Sequence, residues 1–215
     1  ILRKYKTNSI LDIACGTGAQ AIYLNKQGYK VTASDYNKEM VNIAQNKYKK
    51  IKFQQADMRS SKLGSFDAVI SIFNAIGHLS KKDFEKALKN ISKNLEPKGI
   101  YIFDIFNLDF IKNNFITYEF IDVAKESNGT KFTRFNKNKF NKKQGIMTMN
   151  QKTYVQEGMD KPKIYKESWD MQIYSIVQLK QILARNNFEV LEFLTMEGEK
   201  FNKDSLFILT IARKK

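Results

Sequence analysis

The sequence predicts an α/β chain: a doubly wound, mostly parallel sheet interrupted by an antiparallel β insert. Three observations carry that expectation. Strand-length apolar runs alternate with amphipathic stretches through the first half, the rhythm of successive βαβ units. A turn with two glycines, Cys15-Gly16-Thr17-Gly18, follows the first apolar run and precedes a helical stretch. After Asn107 the helical rhythm stops, and short segments separated by turn residues take over.

The first strand is expected at 9–14, with a helix from 19 to about 28. A second strand follows at 30–34. Asn37, a good N-cap residue, opens a helix whose Met40, Val41, Ile43 and Ala44 share a face. The third strand is placed at 51–55 and the fourth at 66–72. The fourth is apolar except for Asp67 and Ser71, as a strand covered on both faces should be. Phe84, Ala87, Leu88, Ile91 and Leu95 mark one face of a helix expected to stop at Pro97. Lys98-Gly99 then turns into a fifth strand at 100–105.

From about 115 to 174 the pattern reads as three or four antiparallel strands. Asn128-Gly129 is a strong hairpin signal, and 142–145 and 157–160 are further turns. Ser175 caps a helix carrying Val177, Leu179, Ile182 and Leu183. Strands at 188–194 and 206–211, linked through 201–205, close the chain. With no repeats and no low-complexity linker, residues 1–215 read as one domain with an insert at 115–174.

A hydrophobic share of 42% and an aromatic share of 13% belong to a globular chain rather than a disordered one. The apolar runs are too short to span a membrane, and no signal peptide is visible. The single cysteine, Cys15, excludes an internal disulfide and fits a reducing, cytoplasmic setting. A net charge of +15 invites nucleic acid, but only five of the 37 basic residues are Arg. Base and phosphate readers favour Arg for its planar fork, so nucleic acid is not the expected partner. Oligomeric state is open, with a homodimer among the options.

The chemistry lies at the ends of the first strands. Gly16 and Gly18 let a ligand approach the backbone, with a helix N-terminus facing it. Asp35 ends the second strand and suits both hydroxyls of a ribose, though a helix-capping Asp or an NAD site reads the same way. Tyr36 suits an adenine face or plain packing. Asp57, ending the third strand in Gln55-Ala-Asp-Met58, suits an adenine amino group, with the Met58 backbone at the ring edge; a turn aspartate is the alternative. Asp12 would attract the ammonium of a methionine moiety and repel a pyrophosphate; otherwise it is a buried strand end. Carboxylates at three successive strand ends favour the ligand readings over three separate structural ones.

These motifs resemble the class I S-adenosylmethionine-dependent methyltransferases over nearly the whole chain. Asp12-Ile-Ala-Cys-Gly-Thr-Gly18 is similar to that family's first motif, and Asp35 to its acidic second-strand residue. Gln55-Ala-Asp-Met58, Phe66-Asp-Ala-Val-Ile-Ser71 and Leu95-Glu-Pro-Lys-Gly99 resemble later ones. The resemblance implies seven strands in the order 3-2-1-4-5-7-6. It implies S-adenosyl-L-methionine as cofactor and S-adenosyl-L-homocysteine as product. It implies cofactor contacts from Asp12, Ala14, Cys15, Gly16, Gly18, Asp35, Tyr36, Asp57, Met58 and Ile72, and no metal.

On the acceptor side, Ile72-Phe-Asn-Ala-Ile-Gly-His-Leu79 follows the fourth strand and holds the only histidine, His78. This loop resembles that of glycine and sarcosine N-methyltransferases, and with the insert resembles bacterial aminosugar N-methyltransferases still more. Carried over, His78 would orient or deprotonate the acceptor and Asn74 would hydrogen-bond it. The glycine-type enzymes place an arginine after the fifth strand, where Phe106 stands here. Arg134 in the insert is a candidate replacement, with a solvated strand residue as the plainer reading. The expected acceptor is therefore a small-molecule amine, aminosugar-like. Rivals are O-methylation of a small metabolite, a non-catalytic cofactor-binding protein, and an RNA methyltransferase using segment 131–143, where six positive charges mix with three phenylalanines. Tyr154, Tyr165 and Trp169 are expected to pack under the insert or line an acceptor pocket.

Overall fold

A computed structural model describes all residues, 1–215. The first half runs β1 (Ser9–Ile13), α1 (Ala19–Lys26), β2 (Lys30–Asp35), α2 (Lys38–Lys47), β3 (Lys52–Gln55) and β4 (Phe66–Ser71). A short 3-10 helix, Ala75–His78, leads into α3 (Lys81–Asn94), β5 (Leu95–Phe106) and α4 (Leu108–Asn114). The insert comprises β6 (Glu119–Ser127), β7 (Thr130–Lys137), β8 (Lys139–Asn141), β9 (Ile146–Glu157) and β10 (Lys163–Gln172). The chain closes with α5 (Ile176–Arg185), β11 (Phe188–Leu194) and β12 (Phe207–Lys214).

The main sheet has seven strands in the order β11-β12-β5-β4-β1-β2-β3. Strands β1 to β5 pair in parallel, and β12 pairs antiparallel with both β5 and β11. Counting only strands of this sheet, the order is the expected 3-2-1-4-5-7-6. The order turns at β1, which has β2 on one side and β4 on the other, so a crevice opens beyond their carboxyl ends.

Alternate residues of the central strands feed two cores. Leu11, Ile13, Tyr101 and Phe103 pack under α3 and α5 with Phe84, Leu88, Ile91 and Leu179. Ile10, Ile70 and Ile102 pack on the other face with Ala21, Leu24 and Ala44 of α1 and α2. Full burial of each large apolar side chain contributes about 1.5–3 kcal/mol, so both faces of the sheet are held against their helices.

Four features depart from the sequence expectation. Helix α3 ends at Asn94 rather than at Pro97, and Leu95 already belongs to β5. A register shift opposite Phe66 and Ala68 absorbs the Glu96–Gly99 stretch, with Lys98 at φ +63°. Helix α4 was not anticipated; Asn107 caps it through the Asp109 N–H at 3.1 Å. The insert holds five strands rather than three or four, because β8 pairs with β9 as a short separate piece. On α2, Val41 and Ala44 are buried while Met40 and Ile43 remain exposed.

The insert seats beside the main sheet through one face. Met147 is buried against Leu108, Ile111 and Ile173, and Met171 of β10 is buried beside Asn74. That anchor puts β10 next to the 72–79 loop. No helix is long and apolar enough to cross a membrane.

Candidate active site

A cavity of about 880 Å³ lies at the carboxyl ends of β1 to β4. It brings together ten of the twelve residues singled out from sequence: Asp12, Ala14, Cys15, Gly16, Asp35, Tyr36, Asp57, Met58, Ile72 and His78. An adjoining, more apolar groove of about 520 Å³ shares Gln20, Ile72 and Phe73 with it but carries none of the carboxylates.

The glycine loop is shaped by the neighbouring strand. Ala14 and Cys15 both donate their N–H groups to the Ser34 carbonyl, at 2.8 and 2.9 Å. This turns the chain sharply, with Ala14 at φ +76° and Gly16 at +54°. Gly16 then donates its N–H to Asp35 Oδ2 at 2.8 Å. A side chain at Gly16 would meet no protein atom within 4 Å, so the open face of the loop is available to a ligand.

Gly18 does something else. It does not line the cavity, which corrects the sequence expectation. At φ +79° it starts α1, and a Cβ there would lie 2.8 Å from the Phe53 ring and 3.1 Å from the Ala44 Cβ. Its absent side chain lets α1 approach α2 and β3.

Asp12 is buried, 2% exposed, and its Oδ2 has no protein partner. Burial first, and then the Asp35 charge, push its carboxyl up to about 7. An unpaired buried carboxylate oxygen on a cavity wall suits a cationic ligand group. Cys15 sits beside these acids; burial pushes its thiol well above the usual range, so it stays an un-ionised lining residue.

Asp35 caps the crevice from β2. Each of its oxygens accepts one N–H, Gly16 at Oδ2 and Asn37 at Oδ1, both at 2.8 Å. A carboxylate has about four acceptor positions, so capacity for ligand hydroxyls remains. The Tyr36 side chain is exposed at the rim.

Asp57 sits in a turn, its carbonyl accepting the Ser60 and Ser61 N–H groups at 3.1 and 2.9 Å, and its carboxylate is already engaged. Arg59 closes on it bidentately, with Nε at 2.9 and 3.0 Å and Nη2 at 2.6 Å, and the Arg59 N–H adds a bond at 2.8 Å. The Arg59 hydrogen bonds hold this carboxyl below the usual range. Arg59 lines the same end of the cavity, and it was not singled out from sequence. Its position two residues after Asp57 was the available signal. Gln20, Met40 and Phe73 are further lining residues that sequence reasoning missed.

His78 lines the cavity at the β4 end, and burial lowers its pKa below the ordinary value, favouring the neutral imidazole. Asn74 does not join it, a second correction. Asn74 is 4% exposed and lies behind the cavity wall. Its N–H donates to Asp104 Oδ2 at 2.9 Å, its Oδ1 accepts from the Phe106 N–H at 3.3 Å, and its Nδ2 stands 3.7 Å from Met171 Sδ. The amide braces the loop and has no capacity aimed at an acceptor. Phe106 stacks on Phe207 with ring centroids 4.6 Å apart, and Arg134 is held by Asp122 at 2.6–3.1 Å. Neither supplies a free cation for an acceptor carboxylate. In the insert, Tyr165 is exposed, and Trp169 falls on the same strand face as Met171.

Residues 10–99 match the protein family described as a methyltransferase domain. The putative methyltransferase YqeM of Bacillus subtilis is 37% identical over 123 residues, 54% of this chain and 50% of that protein. Glycine N-methyltransferase of Rattus norvegicus is 32% identical over 130 residues, 52% of this chain and 44% of that protein. The chain thus spans about half the length of the curated relatives it matches. Among solved structures, the sugar N-methyltransferase KedS8 from Streptoalloteichus superposes with a TM-score of 0.84 at 18% identity, covering 100% of this chain and 83% of that one. At that identity the likeness is one of fold.

Proposed function

We propose that this chain, whose residues 10–99 match a family described as a methyltransferase domain, transfers the methyl group of S-adenosyl-L-methionine to a small-molecule, aminosugar-like amine. One observation carries the cofactor half of this reading. A single cavity gathers carboxylates from the ends of β1, β2 and β3 beside a glycine whose missing side chain leaves open space. The residues fit the cofactor. The orphaned Asp12 oxygen suits its ammonium and the remaining Asp35 acceptor positions suit its ribose hydroxyls, while Met58 and the Asp57–Arg59 pair line the end of the cavity left for the adenine. When bound, the cofactor supplies a methyl group already activated by its sulfonium.

The protein's own task is then alignment, exclusion of water and the handling of one proton. An amine attacks only when neutral. His78, solvent-exposed on the cavity wall and biased towards its neutral form, would accept a hydrogen bond from the amine or take its proton. The lack of a free cation at Phe106 and Arg134 argues against an acceptor recognised through a carboxylate. Relatives of both kinds, glycine and sugar N-methyltransferases, support an amine acceptor.

S-adenosyl-L-homocysteine is expected to raise the melting temperature of the intact protein. Absence of any shift would remove this reading. With the shift in hand, uptake of labelled methyl by small amines, aminosugars and transfer RNA identifies the acceptor class. Uptake confined to RNA would replace the amine assignment.

A further inference from the structure

Phe73 is 76% exposed, and its backbone sits at φ +65° next to Asn74 at +57°. Consecutive left-handed residues without glycine are strained, and a bulky aromatic there is an outlier. Such strain persists only where the surroundings over-determine it. Here they do so from behind. Asp104 takes the Asn74 N–H at 2.9 Å, and Phe106 N–H reaches the Asn74 side chain at 3.3 Å. Gly77 leaves the room that the Asn74 amide fills: a Cβ on Gly77 would stand 2.6 Å from Asn74 Nδ2. None of these contacts uses the Phe73 ring, so the bracing presents that ring rather than packing it.

The ring is presented where the cavity and the apolar groove meet, since Phe73 lines both. It follows β4, whereas Asp57 and Arg59 follow β3 on the far side of β1 and β2. Phe73 therefore belongs to the end opposite the adenine-side residues, the end that also holds Asp12 and His78. The chain is rich in lysine, and Lys4, Lys125, Lys152 and Lys180 stand over Tyr5, Phe132, Tyr154 and Phe193 at 4.8–5.8 Å. No side-chain cation of the protein stands over Phe73.

Resting on the methyltransferase reading, we propose that Phe73 is a specificity-determining residue of the cofactor site: its ring face receives the cationic centre of the loaded cofactor and not the neutral thioether of the product. An aromatic face attracts a cation, and more strongly once water is excluded. The methyl-loaded form would then be held in preference to the spent one, easing product release while the acidic wall at Asp12 still grips both ammonium tails.

The test is calorimetric binding of S-adenosylmethionine, S-adenosylhomocysteine and the amine analogue sinefungin to the wild type, Phe73→Leu and Phe73→Tyr. Phe73→Leu should weaken the two ligands with a cationic centre by about three- to tenfold and leave S-adenosylhomocysteine within about twofold. Phe73→Tyr should match the wild type. A uniform loss across all three ligands, or no loss, overturns the assignment and leaves the methyltransferase reading intact. A wild type that binds none of the three overturns both. Phe73→Gly keeps the comparison clear of folding defects: relief of the left-handed strain should hold or raise its melting temperature while discrimination between charged and neutral ligands is lost.

Discussion

The Gly16 N–H donates to Asp35 Oδ2 at 2.8 Å, so the loop after β1 and the carboxylate ending β2 form one unit. The other Asp35 oxygen takes the Asn37 N–H, which fixes the entry to α2. One side chain thus shapes the glycine loop, starts a helix and keeps acceptor positions for a ligand.

Asp35→Ala should therefore abolish the S-adenosylhomocysteine melting shift. It should also cost the free protein about 1–3 kcal/mol, since backbone N–H groups lose bonds to a charged acceptor. Urea unfolding measures the second effect and thermal melting with ligand the first. A variant that keeps the full ligand shift would show that Asp35 is only a structural brace.

Asp12 makes a pH-dependent prediction. Burial, then the charge of Asp35, raises its carboxyl from 3.8 to about 7 in the fold. Between those values the folded chain holds a proton that the unfolded chain has released. Its stabilising contribution is full below about pH 4 and is lost as pH rises through about 7. Asp12→Asn should flatten that decline and raise stability at pH 8 by on the order of 2 kcal/mol. A ligand ammonium beside Asp12 favours the carboxylate, so binding near pH 6.5 should release a proton. Calorimetry in two buffers of different ionisation enthalpy reads that release directly. Equal apparent enthalpies in the two buffers for the wild type would contradict the pairing.

His78 is shifted the other way. Burial lowers its pKa, so on acidification the unfolded chain gains this proton first. The stability that neutral His78 contributes is full above the ordinary value near 6.5 and is lost as pH falls below it. The acid limb of turnover should accordingly lie below about pH 6.5. His78→Ala should leave the S-adenosylhomocysteine shift intact and slow amine methylation at least tenfold, by ~10²–10⁴ if the imidazole takes the proton. Unchanged turnover would remove His78 from the acceptor side.

How much of this was legible in the sequence depended on how far each role is local. Strand runs, the caps at Asn37 and Ser175, and the Asn128-Gly129 turn are read from neighbours in sequence, and the structure places them there. Strand-end carboxylates are similarly legible, because a parallel sheet puts successive strand ends side by side. What was not legible is pairing across the fold. Asn90 and Asn94 lie on a helix that the sequence marks only by its apolar residues, yet both are buried and their amides hold the 58–63 loop. Asn74 looked like an acceptor ligand because a free amide and a bracing amide are the same letters. The difference lies in Asp104, Phe106 and Met171, the last of them 97 residues away. The left-handed geometry of Phe73 carries no sequence mark at all.

The two glycines of the loop separate binding from folding. Gly16 and Gly18 are indistinguishable by type and spacing, and both have positive φ, +54° and +79°. Adding a methyl group to either therefore incurs left-handed strain, about 1 kcal/mol. Beyond that they diverge. At Gly16 the new methyl meets no protein atom within 4 Å and points into space where a ligand would approach. Gly16→Ala should fold with a small loss of stability and lose most S-adenosylhomocysteine affinity. At Gly18 the methyl would stand 2.8 Å from the Phe53 ring, which is itself buried in the core beneath α1 and α2. Relieving that overlap requires the helix or the ring to move, so Gly18→Ala should cost a further 1–3 kcal/mol or so of overpacking. Any loss of binding in Gly18→Ala should track its unfolding, and cooling or a stabilising osmolyte should recover part of it. Gly16→Ala should not be rescued by either. If both variants lose stability equally and binding equally, the division of labour between the two glycines is wrong.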